Sequence, residues 1–222
     1  MIDGILLIDK PKGITSYDVI RRLKPLFEKK QKIGHAGTLD PFATGLMIIM
    51  LGKGTKLFDH FQKAKKVYHV VSEFGYETDT YDVTGEKLFE SSKNIQENEL
   101  ESVLKNFTGE ISQTPPIFSA KKIKGKRAYE LARKKEEFKL NAKKVNIYSL
   151  ELIGFDFPRF VLKVECSSGT YIRSLVVDIA RELGTFATPI ELCRTSIGEY
   201  TLDQSVKLED VNLERDVRSF RL

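Results

Sequence analysis

Two strand-length segments, residues 145–155 and 160–166, stand almost end to end. The second alternates without a slip, with Phe160, Leu162, Val164 and Cys166 on one side and Val161, Lys163 and Glu165 on the other. Period-two alternation means one face buried and one wetted, the pattern of an antiparallel sheet laid on a core. Residues 67–74 repeat it, placing Tyr68, Val70 and Phe74 together. Residues 4–9 and 46–51 are shorter apolar runs that read as buried strands. Helical patterns fall between these segments. Ser16 reads as the N-cap of a helix carrying Val19, Ile20, Leu23, Leu26 and Phe27, and Pro25 should end or kink it near Leu23. Residues 98–109 turn Leu100, Val103, Leu104 and Phe107 inward, with Gly109 as the stop, and residues 172–183 form a third helix stopped by Gly184. Paired strands with helices between them predict an α+β fold: a central, mostly antiparallel β-sheet flanked by helices.

The chain of 222 residues suits a single domain over 1–222, and 41% apolar with 30% charged residues is a globular balance. Residues 119–144 follow Pro115-Pro116, are poor in large apolar side chains, and read as a protruding insertion with a helix near 127–138. Their charge is lopsided. From Lys121 to Lys144 there are eleven Lys or Arg and three Glu, an excess larger than the +5 of the whole chain, so the remainder is net acidic. Concentrated positive charge is what a phosphate backbone recruits, although a solvated face is the usual meaning of such a run. Cys166 and Cys193 are too few for a disulfide framework, and three His with two Cys show no metal-ligand spacing, so no metal is expected. No apolar run is long enough to cross a bilayer and no secretory signal opens the sequence, which predicts a cytoplasmic protein with no membrane contact.

Chemistry is concentrated in Gly34-His35-Ala36-Gly37-Thr38-Leu39-Asp40-Pro41-Phe42-Ala43-Thr44-Gly45. Three glycines in twelve residues let a backbone turn tightly and approach a ligand. Asp40 precedes a proline and is therefore pushed out of the helical region. On its own, Asp-Pro more often just caps a turn. Taken alone, Tyr68 reads as a core tyrosine, Arg173 as a surface arginine, His35 as a turn cap and Lys10 as a solvated charge.

Five motifs in order change that weighting. The loop around Asp40 resembles the catalytic loop of the TruB-type bacterial tRNA pseudouridine-55 synthases. Lys10-Pro11-Lys12-Gly13 with Ser16 resembles the family's first motif. Lys66-Val67-Tyr68, Phe74-Gly75, Thr78-Asp79-Thr80 and Asp82 resemble its second, and Ser119-Ala120-Lys121-Lys122 with Gly125-Lys126 and Tyr129 the start of its RNA-gripping insertion. Residues 166–173, ending in Ile172-Arg173, resemble its arginine motif. The resemblance covers roughly residues 4–200. It implies the pseudouridine synthase fold and the isomerisation of a T-loop uridine, with Asp40 as the essential carboxylate, Arg173 as its cationic partner and Tyr68 stacked on the uracil. It also implies that His35 fills the space left by the flipped base, that Lys10 supports the loop, that Thr38 and Leu192 meet the substrate, and that Lys121, Lys122, Lys126 and Arg127 grip phosphates. No cofactor is needed, because the bond broken at N1 is remade at C5. The expected partner is the tRNA T-arm, met by a monomer with no obligatory protein partner. Many members carry a C-terminal PUA domain, for which this sequence leaves no room. Two other readings stay open. One is the guide-RNA-dependent branch acting on ribosomal RNA. The other is a tRNA-folding chaperone that needs the basic insertion but not Asp40. A metal-dependent nuclease would have to rest on Asp79 and Asp82.

Overall fold

The computed structural model describes residues 1–119, 121–123, 126–128, 131, 138 and 140–219. It divides into two compact units, Met1–His69 with Leu192–Leu222, and Val70–Glu191.

The first unit is built on β1 (Gly4–Lys10), the helix α1 (Ser16–Leu23), β2 (Ile33–Ala36), β3 (Thr44–Leu51), the short helix α2 (Phe58–Lys63) and the start of β4 (Lys66–Phe74). The apolar run at 46–51 is the central strand. It pairs antiparallel with β1, from Gly4 against Leu51 to Lys10 against Gly45, and its far end pairs antiparallel with β2. Both faces are covered, which is why it reads as a continuous run rather than an alternation. One face packs Ile5, Leu7, Leu46, Ile48 and Met50 with Ala36, Phe61 and Ile197. Leu6, Ile8, Met47 and Ile49 are equally buried, as are Val19, Ile20 and Leu23 of α1. The cap of α1 is Thr15, not Ser16: Thr15 Oγ1 accepts from Asp18 N at 3.1 Å and Asp18 Oδ2 accepts from Thr15 N at 2.9 Å, a reciprocal capping box. The helix ends at Leu23, and Pro25 enters the 3-10 turn that follows, leaving Leu26 exposed instead of on the buried stripe.

The second unit continues from β4 through the hairpin of β5 (Tyr76–Thr78) and β6 (Lys87–Glu90), the helix α3 (Glu97–Leu104), β7 (Gly109–Gln113), the two-residue strands β8 (Lys122–Ile123) and β9 (Lys126–Arg127), β10 (Lys143–Asp156), β11 (Arg159–Cys166) and the helix α4 (Ile172–Glu182). β10 pairs antiparallel with both β11 and β7. The predicted alternation is met on β11, where Phe160, Leu162, Val164 and Cys166 are buried. Gly109 opens β7 at φ +96° instead of stopping a helix, because α3 ends at Leu104 and a 3-10 turn fills the gap. Arg127 closes β9 rather than opening a helix. Ala128 and Leu131 are helical and buried, and most of the helix expected at 127–138 lies outside the described residues.

The chain re-enters the first unit along β12 (Ala187–Ile197), whose Cys193 and Arg194 lie parallel to Thr44 and Gly45 of β3. β13 (Tyr200–Thr201) pairs antiparallel with β12, and β14 (Val206–Lys207) adds a parallel edge to β1. The architecture is α+β with a mostly antiparallel sheet. No helix among the described residues is long and apolar enough to cross a membrane.

Candidate active site

The glycine-rich run divides into a strand and a loop. His35 and Ala36 belong to β2, paired with Ile49 and Ile48, so His35 sits on a sheet edge rather than on the loop expected for it. The loop proper runs from Gly37, at φ +78°, to Ala43. Its shape is held from three sides. The Lys10 ammonium donates to the carbonyls of Pro11 at 2.9 Å, Ile14 at 2.8 Å and, at a longer 3.5 Å, Pro41. Ser16 Oγ accepts from Leu39 N at 2.8 Å and donates back to Leu39 O at 3.1 Å. Freed from capping by Thr15, Ser16 is buried and clasps the residue before Asp40. Within the loop, Ala43 N donates to Asp40 O at 3.1 Å.

Lys10 is fully buried, and burial pushes its pKa down to about 8. The opposing pull that raises it comes chiefly from the Asp40 carboxylate. Asp40 itself is half-buried. Arg194 on β12 is 1% exposed; its Nε donates to Leu46 O at 2.8 Å and its Nη2 to Gly37 O at 3.0 Å. Lys66, also buried, donates to Phe61, Gln62 and Ala64 carbonyls. Three buried cations solvated by backbone carbonyls make this unit electropositive inside. Burial, then the Arg194 charge, lowers the pKa of His35, whose Nδ1 finds no hydrogen-bond partner. Tyr68 is half-buried on β4, Leu192 is buried at the start of this unit's part of β12, and Thr38 is exposed at the loop tip.

In the second unit Arg173 lies in the first turn of α4, 3% exposed. Its Nη1 donates to Thr80 O at 2.6 Å and lies 3.4 Å from Asp82 Oδ2, and its Nη2 donates to Phe118 O at 3.0 Å. Asp82 is thus a partner of Arg173, and its Oδ1 also accepts from Thr84 N and Thr84 Oγ1. Asp79 Oδ1 accepts from Glu86 N. The pair that a nuclease would have needed is occupied in holding a turn. Between them Tyr81 takes φ +60°, a conformation uncommon for a bulky residue, with Arg181 over its ring. Arg181 in turn pairs bidentately with the buried Glu77 at 3.1 and 2.6 Å. Lys121 donates to Asn141 O at 3.1 Å, and burial lowers its pKa. The side chains of Lys122, Lys126 and Arg127 lie outside the described residues.

Sequence reasoning missed Arg194 as anything but a neighbour of Leu192, and it missed the tie between Asp82 and Arg173. A lone arginine in a strand gives no periodic signal. Only its burial marks it.

Residues 24–172 match the model of the TruB family pseudouridylate synthase N-terminal domain. The chain belongs to the TruB family. A tRNA pseudouridine synthase B of Aquifex aeolicus is 48% identical over 212 residues, covering 94% of this chain and 73% of that protein. The one of Caldicellulosiruptor saccharolyticus is 44% identical over 211 residues, covering 95% and 73%. Among solved structures, a Cbf5-Nop10-Gar1 complex contains a chain that is 27% identical with a TM-score of 0.72, and an H/ACA RNP bound to a substrate RNA containing 2'-deoxyuridine contains one at 26% and 0.70. This TruB-family chain covers 93% of its own length in both alignments but spans only about half of theirs, 53% and 51%.

Proposed function

We propose that this protein converts uridine 55 in the T-loop of tRNA to pseudouridine, with Asp40 as the essential carboxylate. The observation that carries the reading is the loop from Gly37 to Ala43. Lys10, Ser16 and Arg194 hold it by side-chain hydrogen bonds, and it presents one carboxylate whose charge is felt at a buried ammonium. The relatives at 44–48% identity are named tRNA pseudouridine synthase B. Tyr68 stacks on the extruded uracil, worth about 1–3 kcal/mol for such a contact, and Leu192 gives the base an apolar neighbour. His35 takes the space the base vacates. Arg173, anchored by Asp82, is the guanidinium of the family's arginine motif. The protein acts as a cytoplasmic monomer without a guide RNA or protein subunit. Incubating purified protein with an unmodified tRNA transcript and mapping pseudouridine is the test. Product at position 55 without guide RNA supports the reading, and no product with any tRNA transcript refutes it.

Among the described residues no three His, Cys, Asp or Glu side chains are grouped to hold a metal ion. Turnover in excess EDTA, on a T-arm whose fold is verified under chelation, should match that without EDTA. A strict metal requirement at the chemical step would contradict this.

The second expectation concerns the basic stretch. Replacing Lys122, Lys126 and Arg127 together by Gln should weaken RNA binding and reduce the log–log salt slope by about 0.7–0.9 per lost phosphate contact. The loss should be the same on whole tRNA and on a T-arm hairpin, since phosphate contacts carry little sequence information. Binding isotherms at several salt concentrations decide it: an unchanged slope would make the run a solvated face.

A further inference from the structure

Arg194 is among the largest fully buried side chains of the protein. It spends its hydrogen bonds on two backbone carbonyls, and those two carbonyls bracket Asp40 in sequence: Gly37 O on one side, Leu46 O on the other. Taking an ion out of water costs several kcal/mol, and two carbonyl dipoles return only part of that. A fold needing only to fill this space would use a leucine or methionine. The guanidinium is what an apolar side chain cannot replace, because its planar fork reaches two acceptors at once in fixed relative positions. Each end of the loop is fitted to it. Gly45 lies beside Arg194 across the parallel pairing of β3 and β12, so close that any Cβ there would collide with the Arg194 backbone. A Cβ on Gly37 would lie 3.2 Å from Arg194 Nη1. The charge is also felt beside the loop: it repels Lys10, the ammonium that the Asp40 carboxylate attracts.

We propose that Arg194 is a positioning residue of the isomerisation, its guanidinium tying Gly37 to Leu46 so that the loop between them presents Asp40 in one fixed place. The proposal rests on the reading of Asp40 given above. Lys10 and Ser16 hold the middle of the loop through Pro41 and Leu39, and Arg194 closes its ends. Lysine is a poor substitute, since its single nitrogen would have to approach both carbonyls at once, whereas the guanidinium reaches them with two separate nitrogens, Nε and Nη2.

The test uses the full chain on an unmodified tRNA transcript, reading single-turnover rate, RNA dissociation constant and Tm for wild type, Arg194→Lys and Arg194→Ala. The expected single-turnover rate of Arg194→Lys is down about a hundredfold, the cost of a misplacement of roughly 1 Å. RNA affinity should stay within about threefold, because Arg194 is buried and the phosphate grip is expected from the basic stretch. Guanidinium ion at millimolar concentration should restore part of the rate of Arg194→Ala, and an equal concentration of ammonium should not. A merely structural arginine would lower Tm without that selectivity. An Arg194→Lys rate near wild type overturns the proposal. So does a cost confined to Tm, or failure of both variants to fold, which would make Arg194 a residue of the fold alone. Absence of turnover by wild type, or full turnover by Asp40→Asn, would remove the underlying reading and the proposal with it. An active wild type beside an undiminished Arg194→Lys removes the proposal alone.

Discussion

Asp40→Asn is expected to lower the single-turnover rate of pseudouridine formation at least about a thousandfold, roughly 4 kcal/mol of transition-state stabilisation, while the RNA dissociation constant stays within about threefold. Asn keeps the size and the loop backbone, including the hydrogen bond from Ala43 N to the residue-40 carbonyl, and removes only the charge. Without that charge Lys10 keeps its three carbonyls but loses the attraction that opposes its burial. Its pKa should therefore fall below about 8, and Tm at neutral pH should drop by a few degrees, the cost of an ammonium with less compensation. Rate, affinity and Tm measured on one preparation separate the possibilities. A variant that binds and melts nearly as wild type but does not turn over places the carboxylate at the chemical step. A variant that turns over substantially would end the assignment of Asp40 as the essential carboxylate, and the catalysis would have to rest on another group.

How far the sequence could be read depended on whether a residue's signal is periodic. The strands at 67–74 and 160–166 and the helix from residue 172 were legible because burial repeats every two or every 3.6 residues, and the strand at 46–51 because it is apolar throughout. The loop around Asp40 was legible as a glycine and proline pattern joined to a family resemblance. What holds the loop was not. Ser16 and Thr15 are adjacent hydroxyls, either of which could cap α1, and only the structure tells which one caps and which one clasps Leu39. Asp82 read as one half of a carboxylate pair; ninety-one residues on, Arg173 gives it another purpose. Such long-range polar pairings leave no periodic trace, and the same holds for Arg194, 157 residues from the carbonyl it holds. His35 was misplaced for a different reason: the nearby glycines at 34 and 37 suggested loop, and pairing to β3 overrode that local preference.

Gly45→Ala should be the most destabilising small substitution in the loop region, and the reason bears on the active site. Gly45 has φ +104°, a conformation that costs an L-residue about 1–2 kcal/mol. Its Cβ would also meet the Arg194 carbonyl oxygen, and would lie 2.8 Å from the Arg194 nitrogen. Backbone cannot swing aside as a side chain does, so β3 and β12 must separate, at the roughly 1–3 kcal/mol typical of overpacking or more. Together these predict a loss of about 2–5 kcal/mol, or roughly 4–20 °C in Tm for a chain of this size. Gly109→Ala is the control. Gly109 has nearly the same dihedral, φ +96°, with nothing within 4 Å of the added methyl group. It should lose only the conformational part, about 1–2 kcal/mol. Thermal or urea melts of the two variants therefore isolate the clash, and equal losses would show that the approach of β12 to β3 is not tight. Because Gly45 is paired with Arg194, whatever fraction of Gly45→Ala stays folded should also turn over slowly, its guanidinium displaced from Gly37 and Leu46. Gly109→Ala should keep its full rate. A folded Gly45→Ala protein with a wild-type rate would mean that the strand pairing supports the fold without setting the position of Asp40.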